Sequence, residues 1–268
     1  MTKANHTSKQ GTLIIIGGHE DHDGNKVILR EVASHVRNGR LVLATVASHE
    51  PEGYLEKYQQ SFAELGVGEV TELYVEDRME ASEPAKLRAL DEIEAVFFSG
   101  GDQLRITSQI GGTPIFDRVM EIYRSGGIIA GTSAGASMMS DTMLVKGTSG
   151  TSFRVGDVRM APGLGLLANV IIDQHFAERG RIGRLIGAVS QNPRELGIGI
   201  DEDTAIVVEG QQFRVIGSGA VYLVDASGAT HSDVAEADSR TTLSIHDLRL
   251  HVLSSGDRFD LASRRPMR

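Results

Sequence analysis

Ser133 stands in Gly131-Thr132-Ser133-Ala134-Gly135-Ala136, directly after the apolar run Gly127-Ile128-Ile129-Ala130 and ahead of a stretch that can form a helix. A serine becomes a useful nucleophile when a sharp strand-to-helix turn lifts its hydroxyl out of the sheet and small neighbours leave room for the bend. N–H groups at the start of the following helix can then receive the charge that develops on a carbonyl oxygen under attack. The G-x-S-x-G spacing is common, and an ordinary Gly-rich turn produces it too, so its meaning depends on what else the chain brings to the same place.

Such a serine needs a neighbouring base. His175 follows the β-branched run Ile171-Ile172 and the polar pair Asp173-Gln174, on a strand expected in the same sheet as the one that feeds Ser133. A carboxylate would hold the imidazole in the right tautomer, and Asp201, Glu202 and Asp203, all placed after Gly199-Ile200, are the candidates. Strand alternation puts Glu202 on one side and the two aspartates on the other, so only one side can face His175. Gly100-Gly101, after Phe97-Phe98-Ser99, lets backbone N–H groups approach a ligand closely and suits an oxyanion loop. Arg179, Arg181 and Arg184 could clamp a carboxylate or form a solvated helix face. The first loop, Gly17-Gly18-His19-Glu20-Asp21-His22-Asp23, carries residue types found in metal sites, but five consecutive polar loop positions rarely converge on one ion, and no metal is expected.

The elements that must position these groups are an alternation of apolar runs and helical stretches. Strands are expected at Thr12–Ile16, Leu41–Thr45, Glu72–Val75, Ala95–Ser99, Gly127–Ala130, Val170–Ile172 and Gly197–Ile200. Amphipathic helices between them, such as Tyr54–Leu65 and Phe116–Arg124, make this an α/β fold with a mainly parallel sheet flanked by helices. Ala205–Val208, Phe213–Ile216 and Ala220–Val224 read as antiparallel C-terminal strands that extend the same sheet. Asp225 to Thr242 reads as a surface loop, with one more strand around Leu248–Leu253. Residues 1–10 are expected as a disordered tail, 11–260 as a single α/β catalytic domain and 261–268 as a basic, solvated tail.

Composition narrows the chemistry. The chain has 268 residues and no cysteine, which removes disulfides, thiolate metal sites and a cysteine nucleophile. A formal net charge of −9 argues against nucleic acid and is compatible with a cationic substrate. Met1 to Gln10 lacks the apolar core of a secretory signal and no window resembles a membrane span, so no membrane association and a cytoplasmic location are expected. The serine, histidine and acid speak against a non-catalytic binding or sensor role, which gives no reason to keep a nucleophile on a strained turn. The order Ser, His, acid also differs from the Ser, acid, His order of α/β-hydrolases and points to another elbow-bearing fold.

Phe98-Ser99-Gly100-Gly101-Asp102-Gln103, the Ser133 elbow, Gly163-Leu164-Gly165-Leu166-Leu167 and Asp173-Gln174-His175-Phe176 with its following arginines together resemble the cyanophycinases. These are serine peptidases related to peptidase E, with a fold like the class I glutamine amidotransferases (flavodoxin-like), and the resemblance covers roughly residues 11 to 225. It implies Ser133 as nucleophile, His175 as general base and Glu202 as the acid, with Gly101 and Ala134 supplying the oxyanion hole. Gln103, Asp173, Gln174, Arg179, Arg181 and Arg184 match the family's substrate pocket. The resemblance further implies an exopeptidase that releases β-Asp-Arg dipeptides from cyanophycin, a poly-aspartate carrying arginine on each side chain. It implies no cofactor and a homodimer. A dipeptidase of the peptidase E type, for aspartyl or isoaspartyl peptides, is the alternative. The histidine-rich first loop departs from the family pattern and bears on substrate choice if it borders the pocket.

Overall fold

A computed structural model of the chain describes residues 10–48, 53–147, 154, 158–236 and 241–267, so residues 1–9 of the expected N-terminal tail lie outside it. The first half alternates strand and helix: β1 (Thr12–Ile16), α1 (Val27–Ser34), β2 (Arg40–Ala44), α2 (Tyr54–Glu64), β3 (Glu69–Leu73), α3 (Pro84–Arg88), β4 (Ala95–Phe98), α4 (Gln103–Ile110), α5 (Pro114–Arg124), β5 (Ile128–Thr132) and the single-turn α6 (Ala134–Ser137). The hairpin β6 (Thr142–Gly147) and β7 (Val158–Pro162) follows, then β8 (Val170–Gln174), α7 (Ile182–Gln191), β9 (Leu196–Ile200), β10 (Thr204–Glu209), β11 (Gln212–Gly217) and β12 (Val221–Asp225). The chain continues through β13 (His231–Ser232), β14 (Ile245–His246), β15 (Arg249–Leu253), β16 (Arg258–Asp260) and β17 (Arg265–Met267).

The main sheet has the order β17-β16-β11-β10-β1-β5-β4-β2-β3. Its half from β1 to β3 is parallel, whereas β10, β11, β16 and β17 add antiparallel pairs on the other side of β1. β1 explains the layering. Leu13 and Ile15 enter one core and Ile14 and Ile16 the other, as alternation along a strand buried on both faces requires. In α5 the buried Ile115, Val119 and Ile122 recur at helical spacing and make one face of that helix part of the first core. In α2, Tyr58 and Phe62 lie one turn apart and are buried in the second core.

The expected single sheet divides. β8 and β9 run parallel in a separate four-stranded sheet, β15-β12-β9-β8, so the strand before His175 does not share a sheet with the strand before Ser133, and β12 does not extend the main sheet. The cause is local. β10 occupies the open edge of β1 and pairs on its other side with β11, so no place beside it is left for β9, which pairs with β8 and β12 instead. The chain turns a corner at Asp201–Asp203. Ile172 and Ile198 of the small sheet then pack into the core of Leu13 and Ile15, while Ile171 packs with Leu185 and Val189 of α7 on its other face.

Two further expectations change. The segment from Asp225 to Thr242 holds β13, which pairs with β14, and its residues 237–240 lie outside the described residues. The basic segment Arg265–Met267 is an edge strand on β16, and Arg264 Nη1 donates to the buried Asp225 at 2.7 Å, so these charges are partly used in packing. Among the described residues no helix is long and apolar enough to cross a membrane.

Candidate active site

In a parallel sheet the loops after neighbouring strands meet at the carboxyl edge. Here β1, β5 and β4 are adjacent, so the first loop, the Ser133 elbow and the Ser99-Gly100-Gly101 turn converge. The second sheet delivers the other partners. His175 N–H donates to Gly17 O at 2.8 Å and Asp203 N–H to Gly18 O at 2.8 Å, which ties the ends of β8 and the β9–β10 corner to the end of β1.

Ser133 has φ 54° and ψ −109°, a backbone conformation that costs a non-glycine residue about 1–3 kcal/mol. It is held by its N–H donating to Ile16 O at 3.1 Å and by Ala136 and Ser137 N–H groups on its carbonyl at 3.1 Å. The bend aims Oγ at His175 Nε2, 2.9 Å away, and His175 Nδ1 is 2.6 Å from Glu202 Oε1. An ionised carboxylate can only accept, so Nδ1 carries the proton, and the bare Nε2 accepts from the serine hydroxyl. Burial pushes the His175 pKa down against the opposing pull of Glu202, which keeps the imidazole neutral and able to take a proton. Burial opposes the charge on Glu202, but hydrogen bonds from His175 and His19 outweigh it and hold this carboxyl below its usual range. The His19 Nδ1 contact is 2.8 Å, on the second carboxylate oxygen.

The neighbouring acids are occupied elsewhere. Asp201 accepts Ala177 N–H at 2.9 Å and Ala220 N–H at 3.0 Å, while Asp203 accepts Asp21 N–H at 3.0 Å and the Ser218 hydroxyl at 2.8 Å. Both pin the corner that presents Glu202. Gly101 has φ +141°, and a Cβ there would stand 2.3 Å from Ala47 O, so only glycine permits this turn beside Ser133. Together with the Ala134 N–H at the start of α6, that turn offers donors beside the serine of the kind an oxyanion hole uses.

A cavity of about 260 Å³ opens over Ser133, lined among others by His19, Glu20, Tyr58, Gly101, His175 and Arg179. The first loop, weighed from sequence as a metal site and as a departure from the family pattern, borders the pocket through His19, Glu20 and His22. Its signal in the sequence was Gly17-Gly18 at the end of a buried strand. Of the six residues assigned to substrate by motif, Arg179 lines this cavity and is exposed. The other five do not line it. Asp173 is fully buried and accepts from both Arg184 Nε, at 2.6 Å, and Arg181 Nη1, at 3.2 Å, and Arg184 Nη2 adds a second bond. Arg181 also donates to Gln174 Oε1 at 2.7 Å, and burial lowers its guanidinium to about 10. Gln174 Nε2 reaches Ser137 Oγ at 3.3 Å, and Gln103 Nε2 donates to Leu144 O at 2.8 Å. These groups form a satisfied polar wall beneath His175 and the elbow. As for metal, the one group of possible ligands among the described residues is His19, His175 and Glu202, whose facing atoms already hydrogen-bond one another.

Residues 13–216 match peptidase family S51. Over 264 residues the chain is 37% identical to a cyanophycinase of Synechococcus elongatus, covering 97% of this chain and 82% of that protein. It is 40% identical over 257 residues to a cyanophycinase of Trichormus variabilis, covering 94% and 86%. The crystal structure of a peptidase from an acI-B1 actinobacterium superposes with a TM-score of 0.71 at 22% identity, over 94% of this chain and 98% of the other, which reports a shared fold.

Proposed function

The chain belongs to peptidase family S51, and from that premise we propose that it is a serine-type exopeptidase that degrades cyanophycin to β-Asp-Arg dipeptides. The observation that carries this reading is the linear contact Ser133 Oγ, His175 Nε2, His175 Nδ1, Glu202 Oε1 on a strained elbow beside an open pocket. His175 takes the serine proton as Oγ attacks the scissile carbonyl carbon. Gly101 and Ala134 N–H groups stabilise the oxyanion, and Glu202 stabilises the imidazolium. His175 then protonates the leaving amine, which departs and leaves an acyl-Ser133 ester. Water, deprotonated by His175, hydrolyses that ester and restores the serine.

Arg179, exposed at the pocket, is assigned to a substrate carboxylate. Asp173, Gln174, Arg181, Arg184 and Gln103 are assigned to the scaffold beneath the pocket, since their hydrogen bonds run to one another, to Ser137 and to the backbone. The reading includes a homodimer and a cytoplasmic location, tested by light scattering and by cell fractionation. The decisive experiment incubates purified protein with cyanophycin and with a panel of α- and β-aspartyl dipeptides. Release of β-Asp-Arg from the polymer is expected. Cleavage of dipeptides with the polymer left intact would establish the peptidase E type of activity instead.

A further inference from the structure

The pocket over Ser133 contains an acid that the acyl-transfer steps leave unused. Glu20 lines it and is only 6% exposed. Thr132 Oγ1 donates to its Oε2 at 2.6 Å and the Tyr58 hydroxyl donates to its Oε1. Thr132 immediately precedes Ser133, so the carboxylate is anchored one residue from the nucleophile. Burial raises the cost of its charge, but His22, these two hydroxyls and its own backbone N–H outweigh that and hold the Glu20 carboxyl below its usual range.

Among the described residues no lysine or arginine pairs with Glu20, and its nearest basic group is His22, whose Nε2 is 3.8 Å away while its Nδ1 faces Ser61 Oγ at 2.8 Å. Two carboxylate oxygens offer about four acceptor sites; the hydroxyls use two of them and His22 approaches a third. A buried carboxylate with no lysine or arginine partner among the described residues is costly in a pocket that has no use for its charge. The contrast with Asp173 is direct. That acid matches the family's pocket by motif, yet both its oxygens are spent on Arg181 and Arg184. At the same cavity Lys57 and Arg179 are exposed and form no ion pair among the described residues, so the pocket offers positive charge outside and negative charge within. That polarity complements a unit bearing both a carboxylate and a cation.

We infer that Glu20 is the specificity-determining acid of this pocket and receives the guanidinium of the substrate's arginyl unit. The inference rests on the serine-peptidase reading above and adds which acid reads the substrate's positive charge. A planar guanidinium brings several N–H donors to the acceptor capacity that Tyr58, Thr132 and His22 leave open.

The test compares a β-Asp-Arg trimer with the same trimer carrying citrulline, whose urea keeps the shape and removes the charge. Wild-type protein should prefer arginine by about 30-fold or more in kcat/KM, as expected for a desolvated charge pair. Glu20→Gln should lose a similar factor on arginine and little on citrulline, and Glu20→Asp should fall between. Labelling of Ser133 by a neutral fluorophosphonate, which needs the nucleophile and base but no cation, should proceed in all three proteins. Equal rates of wild type on the two trimers overturn the inference even if Glu20→Gln does not fold. So does a Glu20→Gln protein that keeps the full preference, or a wild type whose rate responds to N-acetylation of the trimer and not to citrulline. Failure of Ser133 to label in wild type, with neither trimer cleaved, overturns the serine-peptidase reading itself.

Discussion

A Cβ placed on Gly18 would stand 2.2 Å from Cε1 and 2.6 Å from Nε2 of His175, so the imidazole occupies space that the first loop leaves free only because this residue has no side chain. Gly18 also has φ +111°, which an alanine adopts only with strain. Gly18→Ala should displace the ring from Ser133 while the sheet stays intact. We expect kcat to fall by about 100-fold, the usual effect of misplacing a reacting group by about 1 Å, with an unchanged circular dichroism spectrum. A variant with a normal kcat would show that His175 has room to be elsewhere.

Ser133→Ala and His175→Ala should each remove nearly all activity, since the hydroxyl and the imidazole act as one unit. The double variant should therefore be hardly slower than either single one. Single-turnover kinetics on the three proteins decide this, and multiplicative losses would mean that the two side chains work independently.

The three acids of the corner should separate cleanly. Glu202→Gln is expected to lower kcat by several orders of magnitude, because an amide can donate to Nδ1 and stabilise the wrong tautomer. Asp201→Asn and Asp203→Asn should keep most of the rate and lower Tm instead, since their carboxylates hold backbone N–H groups of Ala177, Ala220 and Asp21. Thermal melts and rates on the same preparations are the check.

Activity should persist to lower pH than an ordinary histidine allows. Protonation of His175 blocks it as a base, and burial makes that protonation harder, so the acid limb of kcat/KM moves below the usual value of about 6.5. An acid limb with its midpoint at or above pH about 6.5 would contradict the burial of this imidazole.

Most of the parallel sheet was legible because β1, β2, β4 and β5 are built on apolar runs, and Thr12–Ile16 matches β1 residue for residue, whereas β3, expected at Glu72–Val75, lies at Glu69–Leu73, where Glu and Thr interrupt the apolar residues. The Ser133 elbow was legible for a related reason, since small residues at fixed spacing leave few other conformations. The division into two sheets was not, because Gly197–Ile200 reads the same whether its neighbour is β1 or β12, and what decides is that β10 takes the edge of β1. Pocket residues were the least legible. Asp173 and Glu20 both come after an isoleucine run in the sequence, and only the placement of Arg181 and Arg184 shows that the first is paired with arginines while the second has no such partner among the described residues.

Arg179 and Arg184 lie five positions apart and should respond in opposite ways, which makes them the sharpest comparison of pocket against scaffold. Arg184 is buried and bound through two nitrogens to Asp173. Arg184→Met strands that carboxylate in the interior beside Arg181 alone, and the loss of a buried pair partner costs about 3–5 kcal/mol. We expect a clear fall in Tm, while kcat/KM per labelled Ser133 changes little in the protein that remains folded. Arg184→Lys should recover only part of the loss, because an ammonium cannot reproduce the two-nitrogen contact. Arg179→Ala removes an exposed side chain that forms no ion pair among the described residues and should leave Tm unchanged. Its effect belongs in substrate binding, as a rise in KM of about tenfold and a weaker salt dependence of kcat/KM, since the lost charge is one that attracts a substrate carboxylate at the pocket mouth. Melting curves with KM measured at low and high salt separate the two outcomes, and an Arg179→Ala protein with unchanged KM would remove this residue from the pocket's chemistry.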